Sequence, residues 1–147
     1  MTIPLDGSRL AQSINQNIPG AAVEWDETNV WIKPDSWLEA AQFLKKSPDL
    51  DFAYLNAVTG VDYIEHFEVV YHLTSIRHNH SAVIKVRTYD RDDPKVQTVT
   101  PIWQGADLQE REVWDLMGVK FENHRNMKRI LLWEDFPGHP LRKDFLR

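Results

Sequence analysis

The chain has 147 residues, 17 basic against 22 acidic, for a formal charge of −5 with histidines neutral; 42% of its residues are hydrophobic and 11% aromatic. One domain of this length buries roughly two-thirds of the surface its unfolded chain would expose, so a core without staples is expected and disorder is not. The absence of cysteine excludes a disulfide framework, a thiolate nucleophile and cysteine-ligated zinc or iron–sulfur clusters in this chain, and it suits a reducing compartment.

In chain order, Leu10, Ile14 and Ile18 recur at helical spacing and run into Pro19-Gly20, which predicts a short amphipathic helix. Residues 21–25 and 28–33 read as a hairpin. Pro34 suits a first helical position, and the apolar face Trp37, Leu38, Ala41 and Leu44 carries that helix to Lys46. The period then becomes two. Phe52, Tyr54, Asn56 and Val58 alternate, then Phe67, Val69, Tyr71 and Leu73, then Ala82, Ile84 and Val86, which predicts a three-strand meander joined at 59–62 and 77–81. After the polar break at 90–94, Trp103, Ala106, Glu110, Val113, Trp114 and Met117 mark a third helix ending at Gly118. Beyond it, 119–121 and 130–133 are apolar islands, and Pro137-Gly138 fits a type II turn. The expected fold class is α+β, a two-layer domain in the order α-β-β-α-β-β-β-α over residues 1–132, with an extended interaction tail at 133–147.

Charge and hydropathy narrow the function. The longest charge-free stretch, 10–23, carries too many polar residues to cross a bilayer, and no secretory signal is visible. Residues 110–147 have 8 basic and 7 acidic groups while 1–109 have 9 and 15, so nucleic acid is not an expected partner. No two glycines are close enough for a phosphate-cradling loop, and no serine sits in a nucleophile elbow.

Glu110 lies on the apolar stripe of the third helix. It either anchors a buried salt bridge or sits at the margin of a partly exposed helix, while Arg111 and Asp115 are spaced as an i, i+4 pair. Glu110, Glu112 and His124 also allow an acid/base site, although the spacings of helical metal motifs are missing. In the tail, Trp133, Phe136, Leu141 and Phe145 alternate with Arg142, Lys143 and Asp144. Such a segment lies across another subunit or folds back on its own domain.

The ordered residues Glu110-Arg111-Glu112, Asp115-Leu116-Met117, His124, Lys128 and Ile130-Leu131, followed by Trp133 through Phe145, resemble the signature and ending of the C subunit of NADH-quinone oxidoreductase, respiratory complex I. Tyr71 to Ser75, Lys85 to Arg87 and Ile102 to Ala106 are also similar, so the likeness covers most of residues 50–147. The resemblance implies a structural and assembly subunit of the hydrophilic arm with no cofactor in this chain; iron–sulfur clusters, flavin and quinone belong to partner subunits. Its implied partners are the quinone-site subunit and the terminal-cluster subunit, the D and B subunits of that complex, on the cytoplasmic face of the energy-conserving membrane. It implies a structural role for Glu110, Arg111, Glu112, Asp115, His124, Lys128 and Arg129. It implies interface contacts for Trp133, Phe136, His139, Leu141, Arg142, Lys143, Asp144 and Phe145. The family commonly has His-Pro at His124-Arg125 and often proline at Trp133, so freer backbone is expected there. Some relatives continue well past this chain's end, which implies a smaller footprint. The alternatives are a stand-alone acid/base enzyme using Glu110, Glu112 and His124, and a soluble protein-binding adaptor.

Overall fold

A computed structural model of the chain describes residues 2–145. Its elements are β1 (Ile3–Pro4), α1 (Gly7–Asn17), β2 (Ala22–Trp25), β3 (Asn29–Ile32), α2 (Trp37–Lys46), β4 (Tyr54–Asp62), β5 (Phe67–Ser75), β6 (His80–Thr88), β7 (Lys95–Gln97), α3 (Ala106–Met117) and β8 (Lys120–Glu122). The α+β class holds, with the main elements in the expected order. The sheet runs β2-β3-β6-β5-β4, with β1 added beside β6. The meander β4-β5-β6 is antiparallel, and the β2–β3 hairpin joins it through a parallel β3–β6 pairing.

Local chemistry explains the helices. The Asp6 carboxylate caps α1 by accepting the Ser8 N–H at 3.2 Å, and the helix buries Leu10, Ala11 and Ile14. Pro34 opens a single 3-10 turn at Pro34–Ser36, so α2 begins at Trp37, later than the proline alone suggests. Lys45 and Lys46 then complement the negative end of the α2 dipole.

β5 and β6 follow the period-two reading: Phe67, Val69, Tyr71, Leu73, Ala82, Ile84 and Val86 are all buried with the helices. β4 does not. Tyr54 is exposed and Leu55 is buried, because a bulge between Leu55 and Ala57 resets the pleat before Val58 turns inward. The strand also runs through 59–62, so the connection to β5 is Tyr63 to His66. A second, two-stranded parallel sheet pairs β7 with β8 and takes Val96 and Phe121 into the core. On the face away from the core, Glu68 is buried under Trp31, Lys85 and Arg87: it accepts from Trp31 Nε1 at 3.0 Å and Arg87 Nε at 3.3 Å.

Candidate functional site

The last turn of α3 organises everything that follows it. A helix ends with four backbone carbonyls that lack intrahelical partners. Here Gly118, at φ 78°, donates its N–H to the Trp114 carbonyl at 2.7 Å. The other three are taken by the chain beyond β8. The Asp115 carbonyl accepts from Arg129 at 2.7 Å and His139 Nδ1 at 2.9 Å, the Leu116 carbonyl from the Leu141 N–H at 2.8 Å, and the Met117 carbonyl from Arg142 Nε at 2.6 Å. Two guanidinium groups thus stand at the negative end of the helix dipole. Gly118 leaves the room for this: a Cβ there would lie 2.6 Å from the His139 ring and 2.7 Å from Arg142.

Asp115 is the hub. It is fully buried, with Oδ1 accepting from Arg129 at 2.9 Å and Oδ2 from three consecutive amides, Ile130, Leu131 and Leu132, at 3.1, 2.8 and 3.0 Å. Burial alone would raise its pKa, but Arg129 and the amides outweigh that and hold the carboxylate below its ordinary range. Arg129 also donates to the carbonyls of Phe136 and Gly138, both at 2.8 Å, and its guanidinium lies over the Trp114 ring. Arg111 is not the partner of Asp115, as spacing suggested. It donates instead to the carbonyls of Lys128 and Arg129, both at 3.2 Å, while the half-buried Arg129 occupies the carboxylate. Both residues therefore grip the same loop.

A second clamp fixes the end of the described chain. Arg91 forms a bidentate pair with the buried Asp62, at 2.6 and 3.1 Å, and reaches Asp144 at 3.1 Å; the Lys143 N–H donates to Asp62 Oδ2 at 2.8 Å. Arg91 holds Asp62 well below the usual carboxylate range despite burial. Arg91 and Arg142 both lie over the Phe67 ring, while Phe145 stacks on Phe136 and Phe136 meets Trp133 edge-on. His139 is edge-on to Trp114, and burial, with Arg129 and Arg142 nearby, lowers its proton affinity. Residues 128–145 thus form a strap tied to their own domain. Its outer side leaves Leu131, Trp133 and Leu141 60%, 65% and 57% exposed.

The remaining candidate residues lie apart from the strap's clamps. Glu110 is fully buried, so it is no stripe-margin residue, but no lysine or arginine pairs with it among the described residues. Thr98 Oγ1 donates to it at 2.5 Å and the Val99 N–H at 2.9 Å. His124 Nε2 lies 3.0 Å from Asp107 Oδ1 and 4.0 Å from Glu110 Oε1. Glu112 is exposed. The nearby open cleft of about 550 Å³ is lined by Thr100, Pro101, Gln104, Asp107 and 123–126, with neither Glu110 nor Glu112 on its wall. The acid/base trio of the alternative reading therefore does not converge on this cleft. Among the described residues no group of three acidic, histidine or cysteine side chains is arranged to hold a metal. Sequence reasoning missed Asp62, Arg91, Thr98 and Asp107; the first two stood in segments read as a turn and a polar break.

An α+β domain that closes its last helix with its own carboxyl-terminal segment and presents apolar side chains from it has the form of a subunit in a larger assembly. Similar proteins name the assembly's class. Residues 30–147 match the family model described as "Respiratory-chain NADH dehydrogenase, 30 Kd subunit". The C subunit of NADH-quinone oxidoreductase from Roseiflexus sp. (strain RS-1) is 39% identical over 139 residues, 92% of this chain and 79% of that protein. The mitochondrial NADH dehydrogenase [ubiquinone] iron-sulfur protein 3 of Candida albicans is 42% identical over 123 residues, 82% of this chain but 43% of that longer protein. A chain in the structure of an archaeal membrane-bound sulfane sulfur reductase, a respiratory membrane complex, superposes with a TM-score of 0.74 at 28% identity, covering 94% of this chain and 84% of that one. The chain belongs to the respiratory-chain NADH dehydrogenase 30 kDa subunit family, which includes the C subunit of bacterial NADH-quinone oxidoreductase.

Proposed function

We propose that the chain is a structural and assembly subunit of the hydrophilic arm of an NADH-quinone oxidoreductase, bracing the quinone-site subunit and the terminal-cluster subunit and carrying no redox group itself. The observation that carries this reading is the strap: its backbone is fixed to α3 and to Asp62, while Leu131, Trp133 and Leu141 face outward. Apolar side chains on a pre-ordered backbone lose little entropy on docking, which makes them efficient anchors. Rigid bracing matters because electron transfer and quinone protonation depend on fixed distances. The proposed location is the cytoplasmic face of the energy-conserving membrane, reached through the complex; no helix among the described residues is long and apolar enough to cross a membrane.

The test is the double substitution Leu131→Asp and Trp133→Asp in the host, with the complex isolated from native membranes in mild detergent. The expected result is a folded chain that no longer co-migrates with the quinone-site and iron–sulfur subunits. Co-migration at the unsubstituted level would overturn the assignment of the strap as the contact.

A further inference from the structure

Glu110 makes no hydrogen bond to the strap among the described residues, yet it is a fully buried carboxyl group on the helix that holds it. Its two donors are one hydroxyl and one amide, from Thr98 and Val99. The titratable groups facing it are Asp107 one turn earlier, His124 from the turn after β8, and the buried Tyr71 of β5. Of the other elements beside α3, β4 has Asp62, bound to Arg91, and exposed Tyr54, while β8 has Lys120 and Glu122, both exposed.

Two features connect this carboxyl to solvent and to the strap. Thr98 Oγ1 lies 3.0 Å from Thr100 Oγ1, and Thr100 lines the open cleft. A proton can therefore enter by a relay in which cleft water protonates Thr100, the Thr100 hydroxyl proton passes to Thr98, and the Thr98 proton passes to Glu110. Both hydroxyls end neutral with their hydrogen-bond directions reversed. On the other side, His124 Nδ1 accepts the Asn126 N–H at 3.0 Å, which leaves the ring proton on Nε2, facing Asp107 and Glu110. That N–H donates to the Asp107 main-chain carbonyl at 3.2 Å, with Glu110 Oε1 4.0 Å away; an ionised Glu110 draws the N–H from that carbonyl, and any re-aiming of the ring loosens the Asn126 bond. The chain continues from there into Lys128 and Arg129, whose carbonyls Arg111 holds.

We propose that Glu110 is a proton-binding site supplied from the cleft through Thr98 and Thr100, and that its protonation state sets how firmly His124 holds the turn leading into the strap. Burial drives the carboxyl up to about 7 against the pull of Thr98 and Val99, with Asp107 adding to the rise, so the site changes state near neutral pH. The inference concerns the chain by itself and stands whether or not the strap docks as proposed above.

Nuclear magnetic resonance of the full 147-residue chain between pH 5 and 9 tests it. The Glu110 side-chain carbon is expected to titrate near neutrality, with the Asn126 amide moving at the same midpoint. Glu110→Gln, which mimics the protonated acid, is expected to abolish that movement of Asn126; if this variant does not fold, the two midpoints in the unsubstituted chain decide the matter. Thr100→Val is expected to keep the midpoint but broaden the Glu110 signal near it as proton exchange slows. A Glu110 midpoint below 5, or an Asn126 transition that survives in Glu110→Gln, overturns the switch. An unbroadened signal in Thr100→Val overturns the relay.

Discussion

Glu110 and Asp115 are five residues apart on one helix, both with no measurable exposure, and they meet opposite electrostatic fates. Asp115 has a guanidinium and three amides directed at it and stays ionised; Glu110 has one hydroxyl and one amide and is pushed to about 7. Both side chains are sealed from solvent, but Glu110 sits deeper in the domain, so its depth and the number and charge of the donors together decide the difference. The carboxylate that must hold a loop is given a cation and an amide triplet. Its neighbour is left close to neutral.

The largest expected effect breaks the ionised member of the pair. Asp115→Ala strands Arg129 and three amides in a low-dielectric site, which on the scale of broken buried pairs costs about 3–5 kcal/mol. Denaturant unfolding of the full chain measures it, and protease cleavage within 128–145 should appear well before global unfolding. A loss under ~1 kcal/mol would mean the strap is held elsewhere. Next comes Gly118→Ala. The φ of 78° costs about 1–2 kcal/mol for any L side chain, and the added methyl displaces His139 and Arg142. Cleavage within the strap should increase here too, without the unpaired charge.

A pH series sharpens the contrast because the two groups slope in opposite directions. Asp115 and Asp62 have depressed folded-state values, so their contribution is complete above the unfolded value of 3.8 and is lost as pH falls below it. Glu110 is raised, so the folded chain binds the extra proton; that contribution is complete below 4.5 and lost as pH rises to about 7. Stability should therefore decline by roughly 3 kcal/mol from pH 4.5 to 7 through Glu110. Glu110→Gln should flatten that segment and leave the acid limb intact. An unchanged profile would mean that Glu110 titrates normally.

Half of this contrast was legible in the sequence. A carboxylate at position 110 on an apolar stripe left a buried ion pair and a margin residue both open, and the structure shows burial without the cation among the described residues. The Gly118 stop and the inward faces of β5 and β6, by contrast, follow from simple periods. The partners were not legible. Spacing shows local neighbours, so Asp115 read as the mate of Arg111, four residues away, when the competing cation was Arg129, placed by a loop with no period of its own. Thr98 and Val99 come from a segment between β7 and α3 with no amphipathic signal, and β7 and β8 are three residues each, too short for alternation to register. The β4 bulge hid in the same way, since one inserted residue reverses the inward face. The family resemblance was informative where periodicity failed, because it reports the strap residues as a set.

The smallest expected effect on the fold is also the sharpest test of what the strap is for. Trp133 is 65% exposed, and its one aromatic contact among the described residues is a T-shaped one with Phe136 at 4.8 Å between ring centres. Trp133→Ala should therefore change the stability of the isolated chain by only about 0.5 kcal/mol, as surface substitutions do. Phe136→Ala removes the ring that joins Trp133 to Phe145 and lies beside Arg129, so it should loosen the strap even in isolation. In the assembled complex the order should reverse if the exposed indole is a docking anchor, because an aromatic side chain buried at the centre of an interface contributes about 2 kcal/mol or more. The measurement is the fraction of chain retained with the complex after dilution, compared for the two variants. Equal retention for Trp133→Ala and the unsubstituted chain would leave the indole solvated in the assembly and move the contact to another face of the domain.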